Sequence, residues 1–160
     1  MTEGDRESKL PDNLTSLHKE IDLIQNCISR MAQNSFLIKG WGITLIVITW
    51  AILGKESLSS FALVILLIPI IGFWGLDAYF LWVERKYRKM YAWVLDNRLN
   101  LKSPEKLYDL DPNRFTKEAG SWLKVVFSKT LFAFYGCLSL VVVLAVFLPT
   151  IISFVCSCFP

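Results

Sequence analysis

The sequence predicts an all-α integral membrane protein, and three observations lead to this fold class. The chain of 160 residues is 54% hydrophobic and 19% charged, whereas soluble domains are usually about a quarter charged. It contains three long apolar runs, at residues 36–53, 61–83 and 130–156. Only one of its 17 Lys and Arg residues, Lys55, lies in the turn between the first two runs. A soluble protein of this size could not bury so much apolar surface, and large exposed apolar patches drive association.

Residues 1–35 are expected to form a cytoplasmic tail and an amphipathic helix. Residues 1–11 predict a mobile tail, and Asp12 offers a side chain that caps a helix N-terminus. Apolar residues then recur at spacings of three and four positions, which is typical of a helix with one apolar face. That face packs either on the protein's own body or the membrane surface, or against other copies in a short bundle. The residues assigned to assembly are Leu17, Ile21, Ile24 and Ile28.

The first two apolar runs predict a membrane hairpin. Residues 36–53 give a first span of 18 residues, which at about 1.5 Å per residue is barely long enough to cross the hydrocarbon. Lys39 lies near its inner end, where the long stem can carry the ammonium group to the headgroups. Residues 54–60 are expected to form an external turn. Residues 61–83 give a second span of 23 residues, in which Asp77 is the single charge.

The next segment, residues 84–129, is expected to form a basic cytoplasmic helix and loop. The helix of the second span continues to about Asn97, because its apolar stripe continues that far. A serine followed by proline then predicts a short helix over residues 103–110. Residues 116–129 predict an amphipathic segment at the membrane interface, which leads into the third span.

The third span covers residues 130–156, which are 27 uncharged residues, and residues 157–160 form the C-terminus. The distribution of the basic residues predicts the orientation of the chain in the membrane. Of the 17 Lys and Arg residues, only Lys55 falls in the turn of the hairpin, and 11 lie within residues 84–129. Since cytoplasmic loops carry the excess of Lys and Arg, we expect the N-terminus and the basic loop inside and the C-terminus outside.

Asp77 and Lys39 are the candidate intramembrane charges. A carboxylate at the centre of a span costs roughly 2.5 to 3.5 kcal/mol, so such residues usually face a bundle interior or a water-filled path. Asp77 therefore either lines a pore or binds a partner. Alternatively, it lies near the interface and is matched by Lys39 from the neighbouring helix of the hairpin.

Four basic residues follow the second span directly, and two interpretations of them stay open. Their charge would bind anionic lipid headgroups, or it serves only to fix the topology of the chain. The residues are Arg85, Lys86, Arg88 and Lys89.

We find no residue pattern for catalysis or metal binding. No serine or cysteine lies in a nucleophile motif, and no glycine-rich phosphate loop occurs. Glu105, Asp109 and Asp111 lack the spacing of a Ca²⁺ loop and a histidine partner, so they predict a solvated turn. We expect no enzymatic activity, no metal, no cofactor and no contact with nucleic acid.

Three stretches carry a resemblance to known proteins: ISRMAQNSFLIKGW at residues 28–41, LDAY at residues 76–79, and Glu84-Arg85. With these stretches the sequence resembles small bacterial membrane proteins, and in outline the SLATT-type membrane effectors of anti-phage defence operons. The resemblance covers about residues 14–99. It implies a membrane hairpin flanked by cytoplasmic helices, which oligomerises into pores that depolarise the infected cell. The third apolar run departs from that two-span plan.

Two functional hypotheses follow. The first is an oligomeric effector or channel in the bacterial inner membrane that perturbs the membrane when triggered, with lipids and further copies of the chain as its partners. The second is a non-conducting membrane anchor that docks a soluble cytoplasmic partner protein. The short cytoplasmic part is too small for a ligand-sensing domain with a large core of its own, which favours a soluble partner under either hypothesis.

Overall fold

A computed structural model describes residues 3–53, 60–98 and 108–158, and within these ranges the chain is helical and contains no strand. Helix α1 covers Glu3–Leu53 and helix α2 covers Ser60–Arg98. A 3₁₀-helix at Pro112–Phe115 is followed by α3 at Thr116–Ala119, α4 at Trp122–Val126 and α5 at Lys129–Cys158. The prediction of an all-α fold is therefore confirmed.

Two of the described helices are long and apolar enough to cross a membrane. They correspond to Leu14–Ile52 in α1 and to Leu67–Asn97 in α2, and a shorter apolar stretch at Lys129–Ala145 lies in α5. Both parts of the predicted hairpin are thus helical. The external turn predicted at residues 54–60 lies outside the described residues except for its last position.

Helix α1 begins earlier than the sequence predicts. We expected a mobile tail up to Pro11 and a helix start near Asp12, but the helix begins at Glu3 and includes the proline. The helix start predicted near Asp12 is therefore wrong, because the backbone is helical from Glu3 onward.

The segment after α2 also differs from the prediction. Helix α2 ends at Arg98, next to the predicted end at Asn97. The short helix predicted at residues 103–110 lies outside the described residues up to residue 107, and residues 108–110 are not helical. Tyr108 has a φ of +62°, which is a left-handed conformation that ends rather than extends a helix.

Asp111 begins a helical turn. Its carboxylate accepts a hydrogen bond from the backbone N–H of Asn113 at 3.0 Å, and Pro112 occupies the first helical position, where no N–H is required. The segment expected to lead into the membrane is divided at Gly120, whose φ of +80° ends α3.

The chain divides into two compact units. The first contains Met1–Gln33 and Leu81–Ser121, and the second contains Asn34–Phe80 and Trp122–Pro160. The core of the first unit is formed by buried residues of α1, α2 and the 3₁₀-helix: Leu17, Ile24, Met90, Val94 and Phe115. The second unit has its own buried residues, which come from α1, α2, α4 and α5: Ile38, Ile46, Ile70, Ala78, Val125, Leu131, Tyr135 and Val142.

Candidate functional site

The second unit holds an ion pair between two helices. The Nζ of Lys39 on α1 lies 2.5 Å from Oδ2 of Asp77 on α2. The Asp77 side chain is 0% exposed and that of Lys39 is 24% exposed. The ion pair that the sequence offers as one alternative is thus present. In a single copy the carboxylate faces neighbouring helices, not an open path.

Two hydroxyl groups complete the shell of the Asp77 carboxylate. The Oγ of Ser35 donates to Oδ1 of Asp77 and accepts a hydrogen bond from Lys39 Nζ at 2.8 Å. Ser35 and Lys39 are four positions apart, so they project from the same face of α1. From α5, the hydroxyl of Tyr135 lies 3.1 Å from Asp77 Oδ2 and 3.3 Å from the carbonyl oxygen of Phe73. Three helices therefore meet at one carboxylate. We call Ser35, Lys39, Asp77 and Tyr135 the polar cluster.

The polar cluster makes an otherwise unfavourable burial possible. An isolated buried ion loses several kcal/mol of hydration free energy, and a close counter-ion with further hydrogen bonds offsets this loss. Asp77 has both, since Lys39 supplies the charge and two hydroxyls supply further donors. Removing one charge would leave the other buried without its counter-ion, which typically destabilises a protein by about 3 to 5 kcal/mol.

Aromatic rings surround Tyr135 and fix its position. The ring of Trp74 stacks on that of Tyr135 with 5.9 Å between centroids and 10° between planes. Phe134 makes an edge contact with Tyr135 at 5.0 Å and lies 6.0 Å from Lys39 Nζ. The Nε1 of Trp74 donates to the backbone carbonyl of Val126 at 3.0 Å. The Tyr135 hydroxyl is therefore held beside Asp77 by ring packing as well as by its hydrogen bonds.

The sequence identified two of the four members of the polar cluster. Lys39 and Asp77 stand out as charges in apolar runs, whereas Ser35 and Tyr135 are not conspicuous. Two signals could have found them. Ser35 precedes Lys39 by one helical turn, and a tyrosine in an apolar span usually needs a partner for its hydroxyl group.

Of the four basic residues after the second span, Lys86 is buried in the first unit. Its Nζ lies 3.5 Å from the centroid of the Trp82 ring and donates to Oδ1 of Asn113 at 3.1 Å. Burial lowers the pKa of Lys86 below its ordinary value, and the charge of Asp111 opposes part of this shift. Lys86 therefore belongs to the packing of the first unit and does not present its charge to lipid headgroups.

The other three basic residues differ from Lys86. Arg88 forms an ion pair with Glu84 one turn earlier on α2, with 2.7 Å between Nη2 and Oε1. Lys89 is exposed and Arg85 is half-buried. Binding of lipid headgroups therefore stays a prediction only for the accessible residues, which are Arg85, Arg88 and Lys89.

The residues assigned to assembly lie on the inner side of α1. Leu17 and Ile24 are buried in the core of the first unit, and Ile21 and Ile28 pack against that core. Their partners include Met90 on α2. The apolar face therefore packs on the protein's own body within a single copy, which is one of the two alternatives that the sequence left open.

The acidic residues near residue 110 serve local structure. Asp109 accepts a hydrogen bond from the backbone N–H of Asp111 at 3.2 Å and forms an ion pair with Arg114 at 3.2 Å. Glu105 lies outside the described residues. Across residues 3–53, 60–98 and 108–158, no three His, Cys, Asp or Glu side chains converge on a point where they could hold a metal ion.

Comparisons of the chain with protein-family models, with curated proteins and with solved structures find no match. The resemblance to SLATT-type effectors therefore depends on the sequence stretches alone.

Proposed function

We propose that the protein spans the bacterial inner membrane three times, with its N-terminus and residues 84–129 in the cytoplasm and its C-terminus outside. Apolar side chains on α1 and α2 of the second unit support this proposal because they are highly exposed, and lipid would cover them. Helix α5 has 30 residues, which at about 1.5 Å each amount to more than the hydrocarbon thickness. The most exposed apolar residues on α1 and α2 are Phe36, Trp41, Ile52, Ile68 and Ile71.

Its role, in this proposal, is that of an oligomeric membrane effector that perturbs the membrane when triggered. The observation that carries it is the ion pair between Lys39 and Asp77, buried in an otherwise apolar unit. Buried ion pairs contribute little net stability compared with apolar packing, so their retention favours a role in switching or specificity. The assignment to anti-phage defence rests on the sequence resemblance.

The polar cluster implies a closed resting state. In a single copy, Asp77 is enclosed by Ser35, Lys39 and Tyr135, and the rest of the described unit offers little polar surface to line a path. Conduction therefore requires several copies, together with a rearrangement in which Asp77 exchanges these partners for water or for residues of a neighbouring copy.

Measurement of membrane potential in living cells tests this function. In cells that express the Asp77→Asn variant, the ion pair is lost and we expect depolarisation without any trigger. The wild type should depolarise the membrane only on phage challenge. The control is Thr44→Val, since Thr44 is an exposed polar residue on α1 that donates to the backbone carbonyl of Gly40. If wild type and Asp77→Asn both leave the potential unchanged throughout a panel of phages, the effector role is wrong.

The second candidate function is a non-conducting anchor for a soluble cytoplasmic partner. The observation in its favour is the first unit, which has its own apolar core around Ile24 and Phe115 and would offer a folded docking surface. Purification of the full chain in mild detergent, followed by native mass spectrometry, separates the two functions. A homo-oligomer supports the effector, and a stoichiometric complex with a soluble protein supports the anchor. Neither role requires an active site.

A further inference from the structure

Helix α4 carries an exposed apolar surface. Trp122, Leu123 and Phe127 are 38%, 58% and 66% exposed, and two exposed lysines lie among them. Val125 faces the other way and is completely buried. We use the name α4 surface for the exposed residues Trp122, Leu123, Lys124, Phe127 and Lys129.

The α4 surface is fixed to the second unit. The Phe127 ring makes an edge contact with Trp74 on α2, with 6.2 Å between centroids, and Trp74 Nε1 donates to the carbonyl oxygen of Val126 at 3.0 Å. A Cβ atom at Gly75 would lie 4.0 Å from the Trp122 ring. The backbone N–H of Ser128 donates to Val125 at 3.0 Å, so the chain passes from α4 into α5 through a hydrogen-bonded turn.

These contacts establish the depth of α4 along α2. Trp74 and Gly75 lie eight to nine residues before Val83, the predicted inner end of the second span, which corresponds to about 12 to 14 Å along the helix. If the inner membrane boundary lay at Val83, both lysines of the α4 surface would be drawn deep toward the hydrocarbon, where ammonium groups are unfavourable. A boundary near Trp74 and Asp77 avoids this conflict.

We propose that the α4 surface binds anionic lipids of the cytoplasmic leaflet, so that the inner membrane boundary lies at the level of Trp74 and Asp77. The proposal rests on the membrane location proposed above. The apolar rings of the α4 surface suit the boundary between headgroups and acyl chains, where Trp residues concentrate. Its lysines complement lipid phosphates. On the outer side of this level α2 still has 17 residues, from 60 to 76, and α1 has 14, from 40 to 53. Spans this short require the bilayer to be thinner around them.

This boundary moves the polar cluster to the inner headgroup level. Lys39, with 24% of its side chain exposed, then lies where its ammonium group reaches water or phosphate. The α4 surface would hold lipid at the cytoplasmic end of the second unit, directly beside the aromatic rings that pack on Tyr135. Anionic lipid is thus placed to influence the ion pair through Trp74.

Photo-crosslinking to lipid tests the proposal on the full chain. A benzophenone amino acid is introduced in place of Leu123, and the protein is reconstituted in nanodiscs that contain phosphatidylglycerol and phosphatidylcholine. After illumination, mass spectrometry identifies the adducts. We expect lipid adducts in which phosphatidylglycerol is enriched at least about twofold over its bulk share, since each nearby lysine favours anionic lipid. In a Lys124→Gln, Lys129→Gln background, that enrichment should disappear while the lipid adducts persist.

Two further labelling positions separate the possible failures. Leu140 on α5 is 57% exposed and would be labelled by lipid if α5 spans the membrane, whereas Glu118 on α3 is exposed and should give no lipid adduct. Lipid adducts at Leu140 but not at Leu123 would overturn the proposal for α4 alone. Their absence at both positions would overturn the membrane location itself. Adducts from Leu123 to a second copy of the chain would show a protein interface and overturn lipid binding.

Discussion

The buried carboxylate of Asp77 has one counter-ion, Lys39, and two hydroxyl partners. The contribution of each charge to stability therefore depends on the presence of the other charge. Lys39→Met leaves the completely buried carboxylate of Asp77 without its counter-ion, and we expect a loss of about 3 to 5 kcal/mol in the free energy of unfolding. The double variant Lys39→Met, Asp77→Leu removes both charges and retains apolar volume, so it should recover most of the loss. Unfolding of the purified proteins in mixed micelles with increasing SDS measures both. A double variant no more stable than Lys39→Met would contradict a mutual dependence of the charges.

Lys86 should give the first unit a stability that depends on pH. Burial lowers its pKa below the ordinary value of 10.5, so at high pH the folded state releases the proton before the unfolded state does. Stability therefore rises as pH increases from the folded pKa toward 10.5. Relative to the Lys86→Met variant, the wild type should gain stability as pH rises toward 10.5. Burial also raises the pKa of the adjacent Tyr87. Comparison of the wild type with Lys86→Met cancels this second contribution, because both proteins contain Tyr87.

A difference in unfolding midpoint between the wild type and Lys86→Met that stays constant as pH rises toward 10.5 would show that Lys86 is not desolvated in the folded protein.

At the scale of elements, the apolar face of α1 is expected to stabilise the first unit. Ile24 is completely buried against α2, whereas the adjacent Leu23 is 41% exposed. Ile24→Ala should cost about 2 to 5 kcal/mol because it creates a cavity, and Leu23→Ala should change stability by at most about 0.5 kcal/mol. Thermal unfolding in detergent compares the two. An Ile24→Ala protein with an unchanged midpoint but fewer copies per assembly would show that this face serves oligomerisation instead.

The sequence predicts the helices of this protein better than their ends. Long apolar runs and a regular stripe are sufficient to predict α1 and α2, since both patterns depend only on nearby residues. The start of α1 at Glu3 was missed because residues 1–11 contain few apolar side chains and Asp12 is a typical N-cap residue. The non-helical backbone at Tyr108 was missed because a left-handed residue other than glycine has a weak local signal.

The polar cluster, too, could be predicted only in part from the sequence. Lys39 and Asp77 are found from the sequence because a charge in an apolar run is conspicuous wherever it lies. Tyr135 is separated from Asp77 by 58 positions, and no local pattern connects them. Its contribution follows from how α5 packs on α2. The buried positions of Lys86 and Ile24 follow from packing within the first unit. These contacts depend on tertiary packing, which a single sequence does not specify.

At the scale of the whole molecule, the third apolar run, residues 130–156, predicts an odd number of spans. The segment that leads into α5, residues 84–129, contains 11 of the 17 Lys and Arg residues, so we expect α5 to start in the cytoplasm and to end outside. Alkaline phosphatase fused after Pro160 should therefore be active, and green fluorescent protein fused there should be dark. Fused before Met1, green fluorescent protein should be bright, which serves as the control. The opposite results at Pro160 would leave α5 on the cytoplasmic side and reduce the protein to a two-span hairpin.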